Sequence, residues 1–297
     1  MFSVSSLINL SLAAIAFAHA VEPGAKRQTL AQVITTCKEA NTIALTFDDG
    51  PYIYGPDLVD LLDQNDIKGT FFYNGDNYRC IYDKDMRSNV QYAYSHGHQV
   101  GSHTWHHDDL ATLTWDQIHD EMWRVEQALQ RILGVNPAFM RPPYGSYNDL
   151  VLQASAVRGQ KVVIWDFDDG DSTGSPPDES KADYDQLVSK HPNTVIALNH
   201  ETYDTSVHDV LPYAIQKLKA AGYKFATVAE CMGLDPYQSV GNPQENDVSA
   251  HSHLIALAFG CSESLRYLRS ALLTGKLGLQ LKRDRELGLS ENSDYGY

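Results

Sequence analysis

The strongest constraint on the fold is a regular alternation of short apolar, β-branched runs with helix-like stretches between residues 42 and 230. This βαβα pattern is typical of a parallel sheet covered by helices. The candidate strands are 42–47, 70–74, 99–102, 138–140, 161–165, 194–198 and 225–227. About seven parallel strands are compatible with either a barrel or a doubly wound open sheet, and periodicity alone does not choose between them.

The most regular helical pattern covers residues 115–133, where apolar residues recur at spacings of three and four. Thr114 and Gln117 form the sequence of a capping box at its start, and Gly134 is a typical residue just after a helix end. We therefore expect a long amphipathic helix here, with its apolar face packed in the core rather than exposed for binding.

The two ends of the chain differ in composition from the α/β region. Residues 1–20 combine a short apolar stretch with a small-residue cleavage pattern, which is typical of a secretory signal peptide. We interpret residues 21–36, which include a dibasic Lys-Arg pair, as a propeptide or lead-in to one folded domain at 37–237. The tail at 238–297 begins polar and ends charged, and we expect it to be disordered or partly helical.

The charge of the chain restricts its partners. Its formal net charge is -15 at pH 7, whereas binding to nucleic acid depends on Lys and Arg that neutralise phosphates. We therefore exclude nucleic acid as a partner. Beyond the signal segment, no apolar run approaches the roughly 18 residues that a membrane helix needs. We expect a secreted monomer without a membrane partner, located outside the cell or in the cell wall.

The chain contains four cysteines, which in a secreted protein can form two disulfides. Cys37 precedes the first predicted strand and Cys231 follows the last, so a bond between them would join the two ends of the domain. Cys80 and Cys261 have no such positional argument, and each could be a free thiol.

Two adjacent acids, Asp48 and Asp49, follow the first predicted strand and precede a Gly-Pro turn. Adjacent side chains at a strand end point in different directions, so one carboxylate can bind a metal while the other accepts a proton. The alternative is an Asp-Gly turn that carries no chemistry.

Three histidines, His103, His106 and His107, follow the strand predicted at 99–102. Imidazoles at i and i+4 can face one cation, and with one carboxylate they leave a coordination position open for water, as a catalytic zinc site requires. The spacing of three between His103 and His106 could converge as well, so the residues alone leave the second imidazole open. A chance group of surface histidines is the alternative.

Three further segments carry polar residues after predicted strands. Arg141 opens a loop that is stiffened by two prolines and contains Tyr144, and such a loop can orient a carboxylate or present a backbone N–H to an oxyanion. The acidic segment 166–171 fails the spacing of an EF-hand calcium loop. His200 follows the strand predicted at 194–198, although a lone histidine is more often structural.

All five segments lie at the carboxyl ends of predicted strands, where barrels and open α/β sheets assemble their active sites. In this order they resemble the five motifs of the polysaccharide deacetylase family, carbohydrate esterase family 4, over about residues 37–231. The sequences TFDDGP and HTWHH make the resemblance specific. It is strongest to fungal chitin deacetylase-like enzymes, and it implies a distorted (β/α) barrel of about seven parallel strands, with a deacetylase domain at 37–237.

The resemblance implies a catalytic role for four matching residues. Asp48 would be the general base, oriented by Arg141, and His200 would be the general acid. Asp171 would orient His200 and stabilise its charge. The aromatic residue that usually follows this aspartate in the family is replaced by Ser172, which removes an apolar wall from the expected groove.

The resemblance also implies a metal site and a substrate pocket. Asp49, His103 and His107 would bind a divalent metal, most often zinc, with cobalt also compatible. Tyr144 would supply a backbone N–H for the oxyanion, and Leu198 would form a wall of the acetyl pocket.

The function that the resemblance implies is hydrolytic removal of N-acetyl groups from chitin or another N-acetylglucosamine polymer, with release of acetate. The same chemistry cleaves esters, so an O-acetyl esterase acting on acetylxylan is one alternative. A catalytically silent protein that binds cell-wall polysaccharide is another. A zinc peptidase is disfavoured, because the chain lacks the Glu of the H-E-x-x-H signature.

Overall fold

The computed structural model describes residues 29–244 and Cys261. The predictions made for residues 1–28, and for the tail beyond Gln244 apart from Cys261, lie outside these residues. Within the described part of the chain, no helix is long and apolar enough to cross a membrane.

Strands and helices alternate along the described chain, as the apolar pattern predicted. The strands are β1 (Val33–Ile34), β2 (Thr42–Asp48), β3 (Thr70–Tyr73), β4 (Gln99–Ser102), β5 (Val135–Pro137), β6 (Phe139–Met140), β7 (Lys161–Val163), β8 (Phe167–Asp168), β9 (Thr194–His200), β10 (Lys224–Phe225) and β11 (Tyr237–Val240). The α-helices are α1 (Gly55–Gln64), α2 (Lys84–Ser95), α3 (Trp115–Leu133), α4 (Asp149–Val157), α5 (Pro177–Lys190), α6 (Leu211–Ala220) and α7 (Val228–Met232).

A 9-stranded parallel sheet forms the centre of the molecule. Its order is β1-β7-β6-β4-β3-β2-β9-β8, and β10 pairs with the first residues of β2. The sheet curls into a barrel that is only partly closed. Among the residues described, no pairing joins its two edge strands, β1 and β8. The barrel implied by the family resemblance is therefore confirmed, in a distorted form. Strands β5 and β11 make a separate antiparallel pair.

The sheet contains two strands that the sequence did not predict, β1 and β8. Each is 2 residues long, which is too short for an apolar run or an alternation to be recognised. Strand β10 begins one residue before the predicted 225–227 and ends two residues earlier than predicted. Thr227 is excluded from it because its side chain caps α7 by accepting from the backbone N–H of Glu230.

Helix α3 forms over the predicted residues. Thr114 precedes it in extended backbone and makes a capping box with Gln117. Gly134 ends it with φ 80, a left-handed conformation that favours glycine. The residues of its apolar face, such as Met122 and Val125, are fully buried in the core.

Strands β2 and β9 lie side by side at the centre of the sheet. Every residue of β2 is buried, which explains its continuous apolar run. Asp48 at its end is in register with His200 of β9 and with Phe72 of β3. Ser102 at the end of β4 is in register with Met140 of β6. The carboxyl ends of these strands therefore bring distant parts of the chain to one edge.

Two disulfides stabilise this arrangement. Cys37 and Cys231 are bonded, so the pairing predicted from their positions is confirmed. Cys80 and Cys261 are bonded as well, a pairing that the sequence left open. This second bond joins residues separated by 181 positions, and no sequence pattern indicates that they meet in space.

Candidate active site

Asp49, His103 and His107 form a compact group at the carboxyl edge of the sheet. Each offers one ligand atom, and these atoms lie within 4.8 Å of one another. Oδ1 of Asp49 is 3.6 Å from Nε2 of His103 and 3.2 Å from Nε2 of His107. One carboxylate and two imidazoles are a donor set suited to a divalent metal. The structure thus brings together the three metal ligands proposed from the sequence.

Tight backbone turns place these side chains. Asp49 has φ 70 and His107 has φ 62, left-handed conformations that are uncommon outside glycine and turn the chain sharply after each strand. Nδ1 of His103 lies 2.8 Å from the backbone carbonyl of Arg141, which can only accept. The proton of His103 is therefore on Nδ1, which leaves Nε2, 3.6 Å from Oδ1 of Asp49, with a free lone pair.

His106 is excluded from the group by a separate contact. Its Nδ1 lies 2.6 Å from Oε1 of Glu121, and its backbone N–H donates to Oε2 of the same carboxylate at 2.7 Å. His106, Asp108 and Glu121 are close enough to hold an ion, but the first and last already bond to each other. The side chain of His107, and not that of His106, therefore lies in one group with Asp49 and His103.

Burial adjusts the protonation of the group for cation binding. Burial lowers the pKa of His103 and of His107 to about 3, so both imidazoles are neutral at physiological pH. Burial raises the pKa of Asp49 to about 6, an effect that His200 partly offsets. At pH 7 the group therefore offers two neutral nitrogens and one carboxylate.

We expect the affinity of this group for a divalent metal to weaken as the pH falls below about 6. Asp49 must lose its proton to bind a cation, and its raised pKa lets protons compete below that pH. The decrease should approach about tenfold per pH unit, since one proton is displaced. Competition for zinc against a chromophoric chelator between about pH 5 and 7 measures it. An affinity that does not change over this range would contradict the expectation.

Asp48 is held by a buried ion pair with Arg141. Nη1 of Arg141 donates to Oδ1 of Asp48 at 2.9 Å and to Oγ1 of Thr46 at 2.7 Å. The guanidinium also lies over the ring of Phe72, 4.5 Å from its centroid. Burial raises the pKa of Asp48, although the charge of Arg141 opposes the shift. The predicted partnership of Arg141 and Asp48 is present in the structure.

His200 forms a second buried pair, with Asp171. Oδ1 of Asp171 lies 2.7 Å from Nδ1 of His200, while Oδ2 accepts from the backbone N–H of His200 at 2.8 Å and from Ser206 Oγ at 2.9 Å. Burial disfavours the imidazolium, but the hydrogen bond and charge of Asp171 outweigh it and raise the pKa of His200 to about 9. His200 is therefore protonated at neutral pH.

The remaining predicted residues lie around this site. Tyr144 has φ 59, and its ring packs 4.7 Å from the ring of His107 while 68% of the residue is exposed. Leu198 is buried on β9, two positions before His200. Ser172 is exposed and supplies no apolar surface.

Two residues that sequence reasoning missed support the turn around Asp49. Asn77 Nδ2 donates to Oδ1 of Asp49 at 3.3 Å. Oε1 of Glu201 accepts from the backbone N–H of Tyr52 at 2.7 Å, and burial raises the pKa of Glu201 to about 8. Neither residue is part of a sequence motif with a recognisable spacing. The sequence pointed to one of them only through the position of Glu201 next to His200.

The fold and the site define a partly closed α/β barrel with a candidate metal centre at the carboxyl ends of its strands. Residues 35–163 match the family model described as polysaccharide deacetylase. This match, together with the fungal relatives described next, shows that the chain belongs to the polysaccharide deacetylase family. The segments singled out in the sequence, TFDDGP and HTWHH, both lie inside the matched region.

Fungal relatives align over most of the chain. The chitin deacetylase of Pestalotiopsis sp is 39% identical over 230 residues, which cover 76% of this chain and 76% of that protein. The chitin deacetylase of Colletotrichum lindemuthianum is 33% identical over 230 residues, covering 75% of this chain and 93% of that protein. The solved structure of the Colletotrichum lindemuthianum chitin deacetylase superposes with a TM-score of 0.67 at 31% identity, covering 72% of this chain and 98% of that one.

Proposed function

We propose that the protein is a metal-dependent hydrolase that removes N-acetyl groups from chitin or chito-oligosaccharides and releases acetate. One observation carries the proposal: an Asp-His-His group lies at the same edge of the sheet as two buried pairs, Asp48 with Arg141 and His200 with Asp171. The printed names of the fungal relatives support chitin as the polymer.

The proposed metal ligands are Asp49, His103 and His107, and the proposed ion is zinc, because neutral imidazole nitrogens with one carboxylate suit it. When bound, the ion would polarise the acetamide carbonyl and lower the pKa of a water molecule toward about 7. The protein contributes the orientation of these ligands. In particular, the carbonyl of Arg141 fixes the tautomer of His103 that leaves Nε2 able to bind.

Asp48 is the proposed general base. Arg141 holds its Oδ1, while Oδ2 faces the metal group, 3.7 Å from Nε2 of His103. Burial raises the pKa of Asp48, which makes its carboxylate a better proton acceptor. The oxygen of the attacking water bonds to the carbonyl carbon as its proton moves to Oδ2.

His200 is the proposed general acid. With Nδ1 bonded to Asp171, its Nε2 is the atom left to donate a proton. When the carbon–nitrogen bond breaks, Nε2 protonates the departing amine, so the products are acetate and a free amino sugar. The pKa of about 9 keeps His200 charged for this step at neutral pH.

The loop after Arg141 is proposed to stabilise the oxyanion. Tyr144 has a left-handed backbone conformation beside His107, which suits a backbone N–H that points towards the site. Removal of one oxyanion donor typically costs about 2.7–4 kcal/mol in the transition state. We propose Leu198, buried two positions before His200, as a wall of the acetyl pocket.

We also propose that the protein acts outside the cell. Its two disulfides are typical of proteins that fold in an oxidising compartment. An extracellular location would place the enzyme where a cell-wall polymer is accessible.

Acetate release from chito-oligosaccharides and from acetylated xylan, measured side by side, tests the substrate. We expect faster release from the chito-oligosaccharides. Release from xylan alone would overturn the proposal in favour of an O-acetyl esterase. Zinc binding without acetate release from either polymer would favour the alternative of a polysaccharide-binding protein.

A further inference from the structure

Glu201 joins two segments of the site that are far apart in the sequence. It directly follows the proposed general acid, His200, and it is fully buried. Its Oε1 accepts from the backbone N–H of Tyr52 at 2.7 Å, in the turn that follows β2. Strands β2 and β9 pair in parallel, with Asp48 in register with His200. Glu201 therefore bridges the segments that follow the proposed base and the proposed acid.

The carboxyl group of Glu201 fits against the turn because two glycines leave room for it. A Cβ atom on Gly50 would lie 2.3 Å from Oε1 of Glu201, and one on Gly55 would lie 3.1 Å from the same oxygen. Gly50 does not have a positive φ, so the close approach of this carboxyl group, and not the backbone conformation, explains the glycine. A side chain at Gly50 would push the carboxyl group out of place.

The turn that follows the two aspartates is held by hydrogen bonds from three directions. The carbonyl of Gly50 accepts from the backbone N–H of Asn74 at 2.8 Å. The carbonyl of Tyr52 accepts from Nδ2 of Asn89 at 2.8 Å, and the N–H of Tyr52 donates to Glu201. Of these three contacts, the one to Glu201 ties the turn to the segment of the proposed general acid.

Glu201 makes this contact without adding a full charge to the site at neutral pH. Burial raises the pKa of Glu201 to about 8, although the hydrogen bond from Tyr52 opposes the shift. The carboxyl group is therefore mostly uncharged at pH 7. An uncharged acceptor holds the turn without placing a further negative charge near Asp49. Glutamine, which is uncharged and has the same length, can reproduce this contact.

We propose that Glu201 is a positioning residue that holds the turn after Asp48 and Asp49 in a fixed position relative to His200, so that the proposed base and acid reach the same acetamide. This inference rests on the proposed function. Glu201 acts through the N–H of Tyr52 and not on a reacting atom. Because a displacement of about 1 Å near the reacting atoms can lower a rate about 100-fold, loss of this contact should affect catalysis more than substrate binding.

The test compares Glu201→Leu with Glu201→Gln. Leucine has a similar bulk but no acceptor for Tyr52. We expect kcat on chitopentaose at saturating zinc to fall about 10–100-fold and zinc affinity to weaken in the same range, with KM little changed. Glutamine, whose amide oxygen can accept the same hydrogen bond, should restore kcat and zinc affinity to near wild-type values. Competition against a chromophoric chelator measures the zinc affinity without any substrate.

Glu126→Leu is the matched control. Glu126 is a buried glutamate on α3, and its Oε1 accepts from Nε of Arg158 at 2.6 Å. Its replacement should lower the melting temperature but change neither zinc affinity nor kcat. Glu201→Asp keeps the test decisive if Glu201→Leu does not fold. Its carboxyl group is one methylene shorter and should not reach Tyr52, so zinc affinity and kcat should fall together.

Two outcomes would overturn the inference. One is a wild-type zinc affinity and kcat in folded Glu201→Leu, or in Glu201→Asp if the leucine variant does not fold. The other is a loss in Glu201→Gln as large as in Glu201→Leu, since the hydrogen bond from Tyr52 would then not be what matters. If the zinc-loaded wild type releases no acetate, the proposed function fails, and the zinc affinities of the variants still decide the role of Glu201.

Discussion

Replacing Asp48 with asparagine is expected to lower the rate of acetate release by about 10²–10⁴-fold while the protein retains its metal. The amide cannot take a proton from water. Its oxygen can still accept from Arg141, which in the wild-type protein donates to Oδ1 of Asp48 at 2.9 Å. None of the three proposed metal ligands is altered. The measurements are the initial rate of acetate release and the zinc content of the same preparation.

The stability of this variant must be measured in parallel. Loss of the Asp48 charge leaves the fully buried guanidinium of Arg141 without its counterion, and breaking a buried pair typically costs about 3–5 kcal/mol. Asp166→Asn is a suitable control for the effect on stability of replacing an aspartate by asparagine. Asp166 Oδ1 accepts from the backbone N–H of Ile196 at 2.7 Å, a contact that the amide oxygen preserves. A folded Asp48→Asn variant with wild-type acetate release would refute the proposed base.

Replacing His103 with alanine is expected to remove the metal itself. His103 supplies one of three ligand atoms, and its Nε2 is 3.6 Å from Oδ1 of Asp49. We expect zinc affinity to fall by more than about 100-fold, beyond the effect typical of residues that only support a ligand. Activity should be lost with the metal and return in part at high zinc concentration.

The neighbouring histidine provides the control for this prediction. His106→Ala removes an imidazole of the same segment, but Nδ1 of His106 bonds to Glu121 and not to the metal group. Elemental analysis of the two variants should therefore find zinc bound by His106→Ala and absent from His103→Ala. The opposite result would exclude the proposed ligand set.

The positions of the main site residues could be predicted from the sequence because these residues directly follow predicted strands. Asp48 and Asp49 follow an apolar run long enough to be recognised, and His103 follows the strand predicted at 99–102. In a parallel sheet such residues meet at one edge. The register of Asp48 with His200 shows this directly.

The contacts that complete the site could not be predicted in this way. The spacing of His103, His106 and His107 left two choices for the second imidazole, and the contact that draws His106 to Glu121 on α3 could not be read from that spacing. Asn77 reaches Asp49 from a loop, across 28 positions of sequence. Such contacts depend on how helices and loops pack on the sheet, which apolar periodicity does not encode.

The residue pattern also did not predict whether the sheet closes into a barrel. Both barrels and open sheets produce the same βαβα alternation, so only the family resemblance favoured a barrel. The edge strands β1 and β8 are short, and they are the strands between which the barrel remains open.

The most direct test of the central claim is a mass-spectrometric assay of defined chito-oligosaccharides, performed with and without a chelator. We predict that the product loses the mass of one acetyl group per reaction, that the chelator abolishes this loss, and that added zinc restores it. Deacetylation that continues after complete removal of metal, or no deacetylation by the zinc-loaded protein, would contradict the assignment of Asp49, His103 and His107 as a catalytic metal site.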